Sequence, residues 1–298
     1  MNKIDFWYDK FLSEETKKKS EKIIVYIAIV SFLLHLGLIS LVKLKIIELN
    51  DYSKLLNNPV AAIYTPFSFI LIYEVYLLLF YLPKSTSIYI GKQYEIISLI
   101  VIRRIFKDLS NLKLTKDWFN NKYDILFVFD IVAIIILFYL IFWFYRLNDR
   151  NIQFQKEKFK MSPEISSFIN IKKTLATFLV PVFLILSVYS LASWINESFF
   201  SISELVKDIK DINKIFFDDF FTILILIEVL LLLFSFLQTE KFSKIIRNSG
   251  FIISTILLKI SFGSEGIINT ILIVVAVSFG VLILAIHNKY EIIKEEKS

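Results

Sequence analysis

Cysteine is absent from the 298-residue chain, and histidine occurs only at His35 and His287. The absence of cysteine excludes disulfides, thiolate metal sites and cysteine nucleophiles. Two histidines so far apart in the sequence also do not form the clusters that bind metals or a membrane haem. We therefore expect no metal site and no cofactor, and the redox and metalloenzyme classes are disfavoured.

Glycine and proline are scarce as well, with six and five residues. Transporters built on broken helices use such residues to unwind a helix near the middle of the membrane. The composition therefore favours continuous helices. No segment combines a recognisable nucleophile with a metal set or an acid and base pair, so we do not expect an enzyme.

Apolar residues, by contrast, are abundant: 56% of the chain is hydrophobic, it contains 30 phenylalanines, and its mean hydropathy is +0.64. Ordinary soluble domains are closer to half apolar. Apolar stretches of about 20 residues, the length that crosses a bilayer, alternate with short charged connectors. The clear stretches are 23 to 46, 60 to 82, 124 to 145, 173 to 194, 218 to 237 and 267 to 287.

Two shorter apolar runs, 94 to 109 and 250 to 263, are ambiguous between spanning, re-entrant and interfacial helices. If both cross the membrane, the chain is an all-α polytopic membrane protein with about eight transmembrane helices. Connectors on the side of the N-terminus then carry more lysine and arginine than those on the opposite side. The positive-inside rule predicts a multi-pass protein of the cell (inner or plasma) membrane with both termini in the cytoplasm.

The net charge of +6 comes largely from basic residues beside the apolar segments. In a soluble protein this charge would suggest nucleic acid as a partner. Lysine and arginine next to membrane helices instead meet anionic lipid headgroups. We therefore predict the lipid bilayer as a partner and no nucleic acid.

An internal repeat aligns residues 67 to 80 (FSFILIYEVYLLLF) with 221 to 234 (FTILILIEVLLLLF). A second match, shifted by two residues, aligns 96 to 106 (IISLIVIRRIF) with 252 to 262 (IISTILLKISF). Apolar sequences resemble each other easily, but here an acid and a base also coincide. The alignment places Glu74 on Glu228 and Arg103 on Lys259.

The repeat predicts two tandem four-helix units, a 4+4 arrangement in which both copies run in the same direction. It also favours full crossings for the two short runs. The predicted divisions are an amphipathic and basic cytoplasmic N-terminus (1 to 22), a first four-helix unit (23 to 145), a basic cytoplasmic linker (146 to 172), a second four-helix unit (173 to 287) and a cytoplasmic tail (288 to 298).

Few charges lie inside the apolar segments, and their depths match in pairs. An ionised residue in mid-bilayer costs several kcal/mol unless it is paired or hydrated. With about 1.5 Å of rise per residue, Glu74 and Glu228 lie at similar depth, and a base lies near each. We predict the ion pairs Glu74 with Arg103 and Glu228 with Lys259.

Near the opposite ends of their helices, Asp130 and Arg104 also lie at similar depth and could pair. Two interpretations of these charges remain open. The pairs fix the register of the helices, or the acids bind or relay a cation or proton along a hydrated path. His35 is a possible member of such a relay, although a single intramembrane histidine more often packs with one hydrogen bond.

Helices two and three of each half resemble the second and third helices of the voltage-sensor-like four-helix module of ion channels. The resemblance is carried by residues 73 to 80 (YEVYLLLF), 94 to 97 (YEII) and 227 to 229 (IEV). It implies that a four-helix bundle with an acidic seam is a self-contained conducting or regulatory unit. The fourth helix of such modules carries regularly spaced arginine or lysine, whereas 131 to 145 and 267 to 286 contain neither.

Two functions follow from these features. The first is a channel or transport component that passes a small cation or proton along the buried acids and bases. The alternative is a non-catalytic multi-pass membrane subunit or scaffold that recruits lipid or a protein partner. Either could form a homo-oligomer or bind a second membrane or cytoplasmic protein.

Overall fold

A computed structural model describes residues 3–46, 59–109, 122–156, 163–196, 212–236 and 242–295. These ranges are helical apart from short turns, and no strand occurs in them. The helices are α1 (Lys3–Leu12), α2 (Glu14–Lys43), a 3-10 turn (Pro59–Ile63), α3 (Tyr64–Tyr81), α4 (Thr86–Leu109), α5 (Lys122–Lys156), α6 (Pro163–Ile195), α7 (Ile212–Phe236), α8 (Phe242–Gly263) and α9 (Ile267–Glu295).

Six helical segments of the described ranges are long and apolar enough to cross a membrane. They are Asp5–Lys43, Asp124–Asp149, Ser166–Ser193, Asp219–Phe236, Phe242–Gly263 and Ile267–Ile293. These segments indicate an all-α, multi-pass membrane protein.

The six differ in one member from the six clear stretches of the sequence. Helix α8 is among them because it begins at Phe242, eight residues before the apolar run at 250 to 263. The stretch at 60 to 82 is not, because its apolar helix, Thr65–Tyr81, is shorter. Helix α4 is also outside the six, since it carries several charged side chains.

The first helix begins well before the predicted span at residue 23. Ser13 caps α2, with its hydroxyl oxygen accepting a hydrogen bond from the Thr16 backbone N–H at 3.1 Å. Glu14 and Glu15 follow in the first turn, where negative charge is favoured. The end of the bundle at which α2 begins and α3 ends is called the N-terminal face below.

Helices α4 and α8 face each other across the interior of the bundle, where their side chains meet. The Tyr94 hydroxyl of α4 hydrogen-bonds the Ser254 hydroxyl of α8 at 2.8 Å. Helices α5 and α9 connect them on one side, because α5 packs on α4, α9 packs on α8 and the two pack on each other. Helices α3, α6 and α7 connect them on the other side, since α3 packs on α4, α7 packs on α8 and α6 lies between α3 and α7. Helix α2 packs mainly against α3.

The two halves of the chain share interfaces. Helix α5 packs along α9, and α3 packs along α6. Equivalent contacts occur within each half: the Phe67 and Phe106 rings lie 5.5 Å apart between α3 and α4, and the Phe221 and Phe262 rings lie 5.3 Å apart between α7 and α8. The bundle is therefore one packed body with a common core.

A glycine of α9 makes room for a tyrosine of α4. A Cβ atom at Gly280 would lie 1.7 Å from the Tyr94 hydroxyl oxygen, so the tyrosine side chain packs against the α9 backbone only because residue 280 has no side chain. Gly266 has a φ of +62° in the turn that joins α8 to α9. A left-handed residue there lets the two helices reverse direction within three residues.

The apolar surface is divided unevenly among the helices. Helices α2, α5, α6 and α9 expose many large apolar side chains to the surroundings. Among the described side chains, α3 exposes none of these and α4 exposes only Leu99 and Leu109. Helices α3 and α4 are therefore interior elements, which explains how α4 tolerates charged residues.

Candidate functional site

Glu74 of α3 and Arg103 of α4 form a buried ion pair, in which the guanidinium Nη2 donates to the carboxylate Oε2. The two residues are only 2% and 1% exposed. Arg103 Nε also donates to the Leu99 carbonyl at 3.4 Å, so its side chain folds back towards the start of α4. The structure thus brings this predicted pair together.

Arg104 and Asp130 also lie in contact, as a two-pronged pair between α4 and α5. Arg104 Nε donates to Asp130 Oδ2 at 2.5 Å, and Nη2 donates to Oδ1 at 2.6 Å. The Thr270 hydroxyl of α9 donates to the same Oδ1 at 2.7 Å. Arg104 Nη1 donates to the side-chain oxygen of Asn269, also on α9. We call Arg104, Asp130, Asn269 and Thr270 the Arg104 cluster.

Glu228 is not brought together with Lys259, so the predicted ion pair between these two residues is wrong. Its Oε1 accepts a hydrogen bond of 2.5 Å from Gln93 Nε2 of α4, and its Oε2 has no hydrogen-bond partner among the described residues. Lys259 is partly exposed on α8, whereas Glu228 is 6% exposed.

The register of the helices explains this difference. Phe221 meets Phe262 across α7 and α8, so Glu228, seven residues along, lies opposite residue 255. Lys259 is therefore offset by about one helical turn, roughly 6 Å. The offset is the same in the first half, but there Arg103 spans it by folding back. In the second half, Gln93 reaches the glutamate from a third helix.

The glutamate belongs to a chain of buried polar side chains between α4, α7 and α8. Gln93 donates to Glu228, and the Thr255 hydroxyl donates to Gln93 Oε1 at 3.0 Å. The adjacent residues of the two helices also interact, since the Tyr94 and Ser254 hydroxyls are hydrogen-bonded. The Ser254 hydroxyl donates to the Ala276 carbonyl of α9 at 2.7 Å. All of these polar side chains are buried.

A cavity of about 40 Å³ lies beside this chain towards the N-terminal face. Glu228, Tyr89 of α4 and Lys172 of α6 supply ionisable groups to its lining. Lys172 is 6% exposed, and its Nζ donates to the Lys84 carbonyl at 3.1 Å. The Tyr89 hydroxyl, like Glu228 Oε2, has no hydrogen-bond partner among the described residues. We call Glu228, Gln93, Thr255, Tyr89 and Lys172 the Glu228 cluster.

An apolar layer separates the Glu228 cluster from the Arg104 cluster. By position along their helices, five buried side chains lie between the two clusters: Ile97 and Val101 of α4, Leu258 of α8, and Ile273 and Val277 of α9. Each of the five is at most 2% exposed. The polar groups are therefore concentrated towards the two ends of the bundle.

His35 lies away from both clusters. Its ring Nδ1 is 2.6 Å from the Thr65 hydroxyl oxygen across the interface of α2 and α3. The part of the chain that the structure describes contains no group of three or more histidine, cysteine, aspartate and glutamate residues arranged to hold a metal ion.

Four members of the Glu228 cluster were missed by the sequence analysis: Gln93, Lys172, Tyr89 and Thr255, the last of which lies inside the apolar run at 250 to 263. Gln93 and Lys172 each lie one residue before a predicted span, at 94 and at 173. The helices continue past these limits, since α4 begins at Thr86 and α6 at Pro163. Tyr89 lies in the same extension of α4. The sequence did contain a signal for the longer α4: the apolar residues and tyrosine at 88 to 90 continue its apolar pattern back towards the turn after α3.

No family model matches the chain, and no curated protein and no solved structure matches it either. The resemblance to the voltage-sensor-like module therefore stays an expectation from the sequence.

Proposed function

We propose that the chain is a membrane channel or transport component that passes a proton or small cation along the polar side chains of its bundle. One observation carries this proposal: Glu228 is buried in α7 and leaves one carboxylate oxygen unpaired among the described residues, at the wall of a cavity. A carboxylate in such a place is costly unless it meets a proton, a cation or water. Glu228 is thus the residue that binds the transported charge.

The arrangement of the other polar groups supports a path along α4 and α8. The Glu228 cluster lies on the side of the N-terminal face, and the Arg104 cluster lies near the opposite ends of α4 and α8. The apolar layer of Ile97, Val101, Leu258, Ile273 and Val277 interrupts this path. Passage of a charged species therefore requires these helices to separate, because apolar constrictions exclude hydrated ions.

The proposal includes eight crossings in two related four-helix units. Helix α3 continues the 3-10 turn from Pro59, which gives an unbroken helical segment from Pro59 to Tyr81. Helix α4, at 24 residues, is long enough to cross, and its charges are covered by other helices. The equivalent ring contacts of Phe67 with Phe106 and of Phe221 with Phe262 support the repeat.

The orientation that we propose places both termini in the cytoplasm. Helix α1 then lies at the cytoplasmic membrane surface, where it exposes Phe6 and Trp7. Lys10 lies with its Nζ 5.1 Å from the centre of the Trp7 ring. Aromatic residues beside lysine are typical of helices at the headgroup layer, so anionic lipids are the expected partner of this helix.

Flux measurements in liposomes test the function. The purified protein is reconstituted, and the passage of protons, sodium and potassium is recorded under an imposed gradient. Glu228→Gln should abolish the flux, because the neutral amide keeps the size of the side chain but binds no charge. Glu15→Gln is the matched control, since Glu15 is an exposed acid of α2 on the N-terminal face. Equal flux in wild type and a folded Glu228→Gln variant would contradict the proposal.

A non-catalytic membrane subunit or scaffold is the second candidate. The closed ion pair of Glu74 with Arg103 favours it, because this pair fixes two helices without leaving a free charge. The exposed Phe6 and Trp7 of α1 would then recruit lipid or a protein partner. A scaffold predicts that the wild-type protein passes no ion in liposomes and that Glu228→Gln changes only its stability.

A further inference from the structure

The cavity beside Glu228 combines an acid and an amine in one small volume. Glu228 comes from α7, Lys172 from α6 and Tyr89 from α4. Its volume of about 40 Å³ corresponds to roughly two or three water molecules. Glu228 lies eight residues from the end of α7 at Phe236, which is about 12 Å into the bundle.

The lining does not supply the ligands that a metal cation needs. Hard cations in proteins are held by about six oxygen atoms, from carboxylates, carbonyls or water. Here most of the lining is apolar, including Leu231 and Phe251. Unpaired oxygen atoms come from Glu228 and Tyr89, and the Lys172 amine stands in the same cavity. A protonated amine would also repel a bound cation.

We propose that this cavity is a proton-exchange site, in which Glu228 and Lys172 exchange a proton through water and the Tyr89 hydroxyl. The proposal rests on the transport function proposed above and names the proton as the transported species. In the exchange, the O–H bond of the Glu228 carboxylic acid breaks and an N–H bond forms on the neutral Lys172 amine. The products are a carboxylate and an ammonium group, so charge and atoms balance.

Gln93 is the positioning residue of this site. Its amide nitrogen donates to Glu228 Oε1 and its amide oxygen accepts from Thr255. With Oε1 held in this way, Oε2 is the oxygen left for the cavity. Of the charged and titratable groups around Glu228, Tyr89 and Tyr94 are on α4 and Lys172 is on α6. Arg247 of α8 lies near Lys172 and donates to Asn248, which also lines the cavity.

Access to the site is one-sided in this structure. The apolar layer lies between Glu228 and the Arg104 cluster, and the cavity lies on the other side of Glu228, towards the start of α4 and α8. The proton would therefore be exchanged with the N-terminal face in this conformation. A second conformation is needed for release at the opposite face.

The test uses the full-length protein in liposomes that contain a pH-sensitive dye, with parallel vesicles that report sodium and potassium. Wild type and Glu15→Gln should pass protons and neither alkali cation. Glu228→Gln and Lys172→Met should lose the proton flux, and Lys172→Arg should lose it too, because a guanidinium does not release its proton. Gln93→Leu should slow it, and Gln93→Asn should recover part of it.

The outcomes separate this inference from the function on which it rests. Sodium or potassium flux that depends on Glu228 would overturn the proton site and leave the transport function standing. Full proton flux in a folded Lys172→Met variant would also overturn the exchange pair alone. Absence of any flux in the wild type would overturn both.

A second measurement does not depend on transport. Infrared difference spectra of the wild type, recorded on a change of pH, should show the carbonyl band of a buried carboxylic acid. The band should be lost in Glu228→Gln and shifted in Lys172→Met. A spectrum that is identical in wild type and Glu228→Gln would contradict the proposal.

Discussion

The helix pair α3 and α4 and the helix pair α7 and α8 have the same aromatic contact but different surroundings for their buried glutamate. Glu74 is closed off by the guanidinium of Arg103 from the neighbouring helix. Glu228 receives one amide hydrogen bond from Gln93 and borders a cavity with its other oxygen. Both partners come from α4, so the side chain that reaches the acid, a guanidinium in one case and an amide in the other, decides whether the buried carboxylate meets an opposite charge.

The largest expected effect comes from breaking the closed pair. Arg103→Met should lower the free energy of unfolding by about 3 to 5 kcal/mol, because it leaves Glu74 buried without its partner. The corresponding Lys259→Met should change it by less than about 1 kcal/mol, since Lys259 is partly exposed. Unfolding by denaturant in mixed micelles measures both. Equal losses in the two variants would contradict the difference in environment between Arg103 and Lys259.

Removal of both partners should recover most of that loss. The double variant with Glu74→Met and Arg103→Met should be within about 2 kcal/mol of the wild type, since two apolar side chains replace a desolvated ion pair of similar volume. The same unfolding measurement gives the coupling energy from a double-mutant cycle. If the double variant were as unstable as Arg103→Met, the Glu74–Arg103 pair would itself stabilise the fold and would not merely fix the register of the two helices.

A smaller effect is expected where the glutamate has an amide partner. Gln93→Leu should lower the free energy of unfolding by about 1 to 3 kcal/mol. Glu228 Oε1 loses its hydrogen-bond donor, and the Thr255 hydroxyl loses the amide oxygen that accepts its hydrogen bond. Adding Glu228→Leu to this variant should return part of the stability, since the unpaired carboxylate is then absent. Thermal unfolding in the same detergent compares the two. A larger loss in the double variant would contradict this assignment.

The smallest expected effect tests the equivalence of the two halves. Double-mutant cycles with phenylalanine to leucine changes should give a coupling of about 0.5 to 1.5 kcal/mol for Phe67 with Phe106 and for Phe221 with Phe262. Similar values in the two cycles would support a structural repeat. Coupling in one half and none in the other would argue against it.

Depth along a helix was enough to predict some of the site. Glu74 and Arg103 are on neighbouring helices about one helical turn apart in depth, an offset that the long arginine side chain spans. Arg104 and Asp130 are likewise on neighbouring helices and close enough to pair. The apolar pattern fixes both the helices and the depths. The partners on α9 were beyond this argument, because Asn269 and Thr270 reach Arg104 only through the packing of α5 on α9. Such contacts depend on the arrangement of helices that are distant in sequence.

The extent of the helices was the harder part to predict. A span derived from hydropathy is cut short where polar residues lower the average, and the predicted segments therefore began just after Gln93 and Lys172. Inside a bundle these residues are covered by other helices, and the helix continues through them. The same reason explains why α8 extends eight residues before its apolar run. Polar residues at the edge of a predicted span therefore merit inclusion as site candidates.

The position of α9 has a consequence for synthesis. This helix is synthesised after α4 and α5, yet it supplies Asn269 and Thr270 to Arg104 and lies against Tyr94 at Gly280. Until α9 is in place, Arg104 and Asp130 lack hydrogen-bond partners that they have in the folded bundle. Water or another protein group has to satisfy these side chains in the intermediate, because an unpaired polar group is costly in an apolar environment. Docking of α9 onto α5 and α8 therefore completes the Arg104 cluster.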